Sequence, residues 1–246
     1  MTTQAQTRSR GRIGQSAIGL TLAAAIVSAW LCGHVYAVFF HRWTPAGIIA
    51  APFVMALQCW LSVGLFIVAH DAMHGSLVPF HPLVNRTIGR LCLILYAGFS
   101  YDRLITKHFD HHRHPGTALD PDYNAEDPEH FWGWYVAFFR RYFGWQPFLT
   151  INVVTWLYWG LFGANLANIL LLWAVPAILS SVQLFYFGTY LPHRREEDGF
   201  VDGHNARSSG YPWLLSLLTC FHFGHHHEHH AAPHVPWWQL PHTPLR

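Results

Sequence analysis

Four apolar stretches, each close to the length of one bilayer crossing, limit what this chain can fold into more than any other feature. A helix that crosses the hydrocarbon core needs about 20 apolar residues. The first stretch runs from about Ser16 to Phe40 and the second from about Ala46 to Ala69; the third and fourth share the run from about Phe148 to Leu191. That run is roughly two crossings long, and Gly160, Gly163, Ala164 and Asn165 mark where it breaks. Charged residues are only 11% of the chain, against about 25% in soluble domains, so a surface of this size is not solvated by charge and the chain reads as an all-α integral membrane protein. A shorter run, Ile88 to Phe99, is interrupted by Arg90 and reads as a re-entrant hairpin or interfacial helix. Arg8, Arg10 and Arg12 precede the first stretch as they would in a signal peptide, but its apolar run exceeds the 7–15 residues of such a segment, which favours a retained span.

Sidedness follows from where Lys and Arg fall. With the N-terminus inside, Arg42 is the only basic residue on the far side; one span more or fewer moves Arg194, Arg195, Arg207 and Arg246 outside. Four spans with both termini cytoplasmic are therefore expected. No internal repeat or linker divides the chain, so residues 1–246 read as one domain. A net charge of +2 excludes a nucleic-acid footprint. Cys32, Cys59, Cys92 and Cys220 lie singly, which excludes a disulfide framework or a paired-cysteine metal site.

The 20 histidines are not scattered. They recur as His70-Asp-Ala-Met-His74, His108-Phe-Asp-His111-His112 and His222-Phe-Gly-His225-His226-His227-Glu-His229-His230. Residues three or four apart share a helix face, so each box presents a stripe: His70 with His74, His108 with His111 and His112, and His222 with His226, His229 and His230, while His225 and His227 point elsewhere. All three stripes and His193, just after the last span, lie on one membrane face in the four-span arrangement. A zinc-buffering His tract needs no such spacing, so the boxes point to a catalytic metal centre in a cytoplasmic cap. His34, His41, His81, His130, His204, His234 and His242 read as ordinary hydrogen-bonding or interfacial histidines. Eight to ten imidazoles exceed the four ligands of structural zinc and imply two metals; imidazole alone leaves zinc, copper, iron and nickel open. Asp71, Asp110, Asp120, Asp122 and Glu228 are candidates to accept hydrogen bonds from ligand rings and set their tautomers.

These residues resemble the membrane fatty acid desaturase and hydroxylase superfamily, and more closely its bacterial β-carotene ketolases. The likeness rests on Phe66-Ile-Val-Ala-His-Asp-Ala-Met-His-Gly75, Tyr101-Asp-Arg-Leu-Ile-Thr-Lys-His-Phe-Asp-His-His-Arg-His-Pro-Gly116, Asn205-Ala-Arg-Ser-Ser209 and Leu217-Leu-Thr-Cys-Phe-His-Phe-Gly-His-His-His-Glu-His-His230. Box one is shared with acyl-lipid desaturases; the second and third strings are specific. The resemblance implies two irons (Fe2+) held by His70, His74, His108, His111, His112, His226, His229 and His230, with His193 as the extra ligand after the last span and His222 as a tenth candidate. His114 precedes Pro115, which biases it out of the helix, and is left aside.

The activity implied is O2-dependent oxidation of the ring C4 methylene of β-carotene, or of its 3-hydroxylated form, through two hydroxylations to the ketone: β-carotene to echinenone to canthaxanthin. The setting implied is a bacterial inner membrane. Electrons have to come from a partner, because the chain carries neither a dinucleotide fingerprint nor an Fe–S cysteine run. A ferredoxin-type donor near Lys107, Arg113, Arg140 or Arg141 is the simplest source. A β-ring 3-hydroxylase and an acyl desaturase are the rival readings within the superfamily. A histidine-rich transporter, which places its ion sites near the midplane, is the rival outside it.

Overall fold

The structure, a computed structural model, describes residues 2–196 and 198–244, with side chains from Ile13 onward. The side chains of Arg8, Arg10 and Arg12, and all of Arg246, lie outside the described residues. Every regular element among the described residues is helical. Helix α1 (Thr2–Val35) continues through a wide turn, Tyr36–Phe40. Helix α2 (Pro45–His74) starts at Thr44, whose side chain accepts from the Gly47 amide at 3.2 Å, and stops at Gly75 in the left-handed conformation that glycine tolerates best. Box one is therefore the last turn of a 30-residue helix.

The chain turns back at once. Asn85 receives the Val78 amide at 3.1 Å and donates to the Val78 and His81 carbonyls at 2.7 and 3.1 Å. This staples the turn into α3 (Pro82–Ala97), which packs chiefly on α2. Gly98, at φ 72°, then redirects the chain into α4 (Tyr101–Arg113), which carries box two. The Ile88–Phe99 run, expected as a re-entrant hairpin or interfacial helix, is the second half of the single helix α3 and the turn that follows it. Next come α5 (Phe131–Tyr142), α6 (Trp145–Trp156, extended by the wide turn Leu157–Leu161), the long helix α7 (Leu166–His193), α8 (Trp213–Cys220), α9 (His226–Ala231) and a closing 3-10 turn, Trp237–His242.

Three of these helices are long and apolar enough to cross a membrane: Ile13–Phe40, Pro45–His74 and Leu166–His193. The sequence reading expects four. The break falls at 162–165, within the expected region, and Gly163 has φ 66°. It divides the apolar run unequally: α7 takes 28 residues, whereas α6 begins only after the turn at Phe143–Gly144 and is about 25 Å long, short of the roughly 30 Å hydrocarbon core. Ile49, Phe53, Leu149, Trp156, Leu161 and Ile178 are all exposed, as lipid-facing side chains are. Trp30 Nε1 donates to Ser62 Oγ at 3.0 Å between α1 and α2, and Asn168 of α7 donates to the Val38 and His41 carbonyls beyond α1. These bonds are intersegment glue of the kind polar side chains supply in membranes.

Box two is aimed by packing at the α3–α4 corner. A Cβ built on Gly89 falls 2.2 Å from the ring of buried Tyr101, at the start of α4. Gly89→Leu is expected to push that ring aside and lower stability by about 1–3 kcal/mol, the usual cost of overpacking. Thermal unfolding in detergent, with metal content measured on the same sample, checks this.

Candidate metal centre

Each box reaches the centre for a local reason. Box one rides on α2. Helix α4 is capped by Ser100, whose hydroxyl accepts from the Arg103 amide at 3.4 Å, and it ends before Pro115, so His108, His111 and His112 share its last turns. Helix α9 starts at His226, where Ser208 Oγ accepts from the His227 amide at 3.1 Å and donates to the Glu228 carboxylate. His193 closes α7.

The rings gather into two groups. His70, His74, His108, His112 and His229 bring one nitrogen each to within 4.8 Å of one another; His111, His193, His226 and His230 do the same. Boxes two and three are each divided between the groups, since His108 and His112 join one and His111 the other, while His229 joins the first and His226 and His230 the second. The groups adjoin where the His112 and His230 rings stack at 4.3 Å.

Three other expectations have different outcomes. His222 is buried but belongs to neither group. It follows Phe221 in left-handed backbone, at φ 62° after 48°, and this turn carries its ring away to Ser216 Oγ, 3.1 Å from Nδ1, and to the Trp237 ring. Asp110 faces solvent and pairs with Arg113 at 2.7 Å, because it sits on the opposite side of α4 from the boxes. His225 and His227 turn outward, toward Glu228 and Asp202.

Asp120 does meet a ring. Its two oxygens lie 2.9 and 3.0 Å from His111 Nδ1 and also receive the Gly116 and Asp122 amides, both at 2.8 Å. This holds the lone pair of His111 Nε2 toward His230, at 3.1 Å. Asp71 accepts the Trp237 amide at 2.9 Å and lies 3.5 Å from His70 Nδ1, tying the C-terminal segment to box one. Asp122 accepts from the Tyr142 hydroxyl and lies 3.9 Å from His111. Asn205, noted in the sequence only as part of a resembling string and given no role at the site, accepts the His193 Nδ1–H on its carbonyl at 2.7 Å and donates its side-chain amide to the Pro115 carbonyl at 2.9 Å. Its signal was an asparagine at a turn; here it has φ 44°, in the left-handed region asparagine tolerates.

The donor set fits a cation. Both nitrogens of buried His70 and Nε2 of His193 have no hydrogen-bond partner, and an unsatisfied buried polar atom costs about 1–3 kcal/mol. His74 and His108 bring Nε2 atoms to 2.6 Å, and His112 and His229 to 3.0 Å, so lone pairs converge where a positive charge would accept them. All-imidazole groups suit iron, zinc, copper or nickel rather than calcium or magnesium. Burial, reinforced by neighbouring imidazoles, holds His108, His226, His229 and His230 well below the ordinary imidazole range and His112 down to about 2. These rings are neutral and ready to ligate. At His111 burial acts the same way, but the Asp122 charge and the Asp120 hydrogen bond outweigh it and raise its pKa. Burial likewise opposes the charge of Asp120, yet its bond to His111 and the two amides hold it below the usual carboxylate range.

Beside the two groups lies a cavity of about 110 Å³. Its walls are mainly aromatic and aliphatic, including Phe66, Tyr96, Phe138, Phe139 and Leu184, and it ends on His70 and His108 of one group and His111 and His226 of the other.

Fold and centre together define a helical membrane protein with a buried, all-histidine metal centre facing an apolar cavity. The fatty acid desaturase family matches over residues 42–153 and 140–243, and the chain belongs to that family. It is 49% identical to a β-carotene ketolase of Paracoccus sp. (strain PC1) over 96% of each chain. It is 35% identical to a β-carotene ketolase of Haematococcus lacustris, over 91% of this chain and 78% of that one. A zeaxanthin 4-ketolase of Chlamydomonas reinhardtii is 39% identical over 91% of this chain and 52% of its own length. The resemblance read from the extended histidine boxes holds, and the chain is an oxygenase-type enzyme.

Asp120→Asn should weaken metal retention about 10–100-fold while leaving the fold intact, since it disturbs the tautomer of one ring only; metal content after graded chelation measures it. Acid should act more broadly. Five rings have folded pKa values below the unfolded value of about 6.5, so the stability they provide is complete above that pH and declines as pH falls, by about 1.4 kcal/mol per unit for each ring. His111, raised, contributes below pH 6.5 and loses its contribution as pH rises, one ring against five. The unfolding temperature and bound metal should therefore both fall between pH 7 and 5.

Proposed function

We propose that this chain is a β-carotene 4-ketolase, a di-iron oxygenase of the bacterial inner membrane. The observation that carries this reading is the apolar cavity ending on imidazoles of both histidine groups, the surroundings a hydrocarbon ring needs in order to meet two metals at once. His70, His74, His108, His112 and His229 hold one iron, and His111, His193, His226 and His230 the other. The irons, when bound, supply the redox chemistry that activates O2. The chain's own residues do the rest. Phe66, Tyr96, Phe138 and Phe139 take up the flat ring and exclude water, while Asp120 and the Asn205 carbonyl orient His111 and His193.

Each oxidation puts one oxygen atom of O2 into a C–H bond and releases the other as water, using two electrons and two protons from outside. The second oxidation at the same carbon gives a gem-diol, which loses water to the ketone. The chain forms a single domain over residues 1–246 that crosses the bilayer four times, with α6 as the short third span. Its histidine cap and both termini face the cytoplasm, as the basic residues favour. The electron donor is an acidic, ferredoxin-type protein. A cation-lined surface pocket formed by Arg103, Lys107 and Arg141, with Tyr142 shared between it and the substrate cavity, supports docking there.

Membranes containing this chain, supplied with β-carotene, O2 and reduced ferredoxin, should yield the mono- and then the diketone. A limited supply of O2 or reductant should make the 4-hydroxy carotenoid accumulate, and restoring supply should convert it. Only 3-hydroxy products under ample supply, resolved by pigment chromatography, overturn the ketolase reading and favour the 3-hydroxylase.

A further inference from the structure

One apolar side chain packs against rings of both histidine groups and also lines the cavity. Phe223 lies edge-on to His70, at 4.6 Å and 77°, and to His226, at 4.9 Å and 82°, and its ring centroid is 5.3 Å from that of His229. It is 6% exposed and lines the cavity with Gly188. Leu104, one helical turn before His108, forms part of the same lining. Phe223 is also unable to swing freely. The two left-handed residues before it throw it out of the course of α8, His222 is anchored on Ser216 and Trp237, and its own amide donates to the Cys220 carbonyl at 2.9 Å. On the other side, a Cβ at Gly188 would stand 3.0 and 3.1 Å from two atoms of the ring, so a methyl at that position in α7 fits only if the ring gives by a few tenths of an ångström.

We propose that Phe223, backed by Gly188 and anchored through His222, is the specificity-determining spacer that sets how deep a substrate ring reaches toward the histidine groups. The inference rests on the ketolase reading. Adjacent ring carbons are only about 1.5 Å apart, so a spacer that gives by a fraction of a side chain exposes the neighbouring methylene or lets the alcohol leave before its second oxidation. Phe223 and Gly188 are thus one unit, in which ring size on one side is matched to the missing methyl on the other. His222 is a positioning residue for it.

The test compares Phe223→Leu, Gly188→Ala and the double variant in membranes that convert β-carotene, with iron per chain measured on each. Tryptophan fluorescence of the metal-free proteins reports β-carotene binding. Phe223→Leu should raise the share of 4-hydroxy and 3-hydroxy products about tenfold at unchanged iron, the low end of what a methylene-sized misfit does in an apolar pocket. Gly188→Ala should weaken carotenoid binding about tenfold, and the double variant should recover it, because leucine vacates the space the new methyl needs. Wild-type product ratios in iron-replete Phe223→Leu, loss of iron in that variant, or additive defects in the double variant each overturn the proposal. A wild-type chain that makes no ketone would instead refute the ketolase reading.

Discussion

The structure depends on one electrostatic condition: nine largely desolvated imidazoles converge, most of them kept neutral by burial, and their lone pairs have to find an acceptor. His70 and His193 keep ring nitrogens with no hydrogen-bond partner in the protein. Protonation is no way out at His108 or His229, where burial and the neighbouring imidazoles disfavour a positive charge. A bound cation would resolve the conflict, and His111, held by both oxygens of Asp120, shows how the protein fixes a ring that would otherwise be free to turn.

The rest of the fold delivers these rings to one level. Box one is the end of α2, box two the end of α4 and His193 the end of α7, so three helices of different length terminate at the centre. The ends are set by ordinary local chemistry: Gly75 after α2, Pro115 beyond α4, and the left-handed Phe221 and His222 between α8 and α9. Side chains already paired elsewhere hold the approach, as Asn85 does for the α2–α3 turn and Asn205 for the meeting of His193 with the end of box two.

The boundary between polar centre and apolar cavity is where chemistry becomes selective. Four imidazoles from the two groups reach the cavity, and the surfaces around them are hydrocarbon. The lining is mostly apolar, with Asp122, Tyr96, Tyr142, Ser181 and Thr189 the few polar side chains besides the imidazoles, so discrimination among ring carbons falls largely to shape. This gives weight to a rigid aromatic such as Phe223, held from behind by its own backbone.

Much of this protein was legible in its sequence because the deciding signals are local. Apolar run length marks the long helices and the break before α7, and spacing of three and four puts histidines on one helix face. The extended boxes identify the family. What spacing does not carry is the rotation of one helix against another. It could not show that His111 parts from His108 and His112, that His229 parts from His226 and His230, or that Asp110 faces water while Asp120, from the following loop, reaches the ring. His222 sits on the predicted stripe only if the helix is continuous, and two left-handed residues interrupt it. These outcomes depend on contacts between segments far apart in the chain, where packing and burial choose among side chains that local periodicity treats as equivalent.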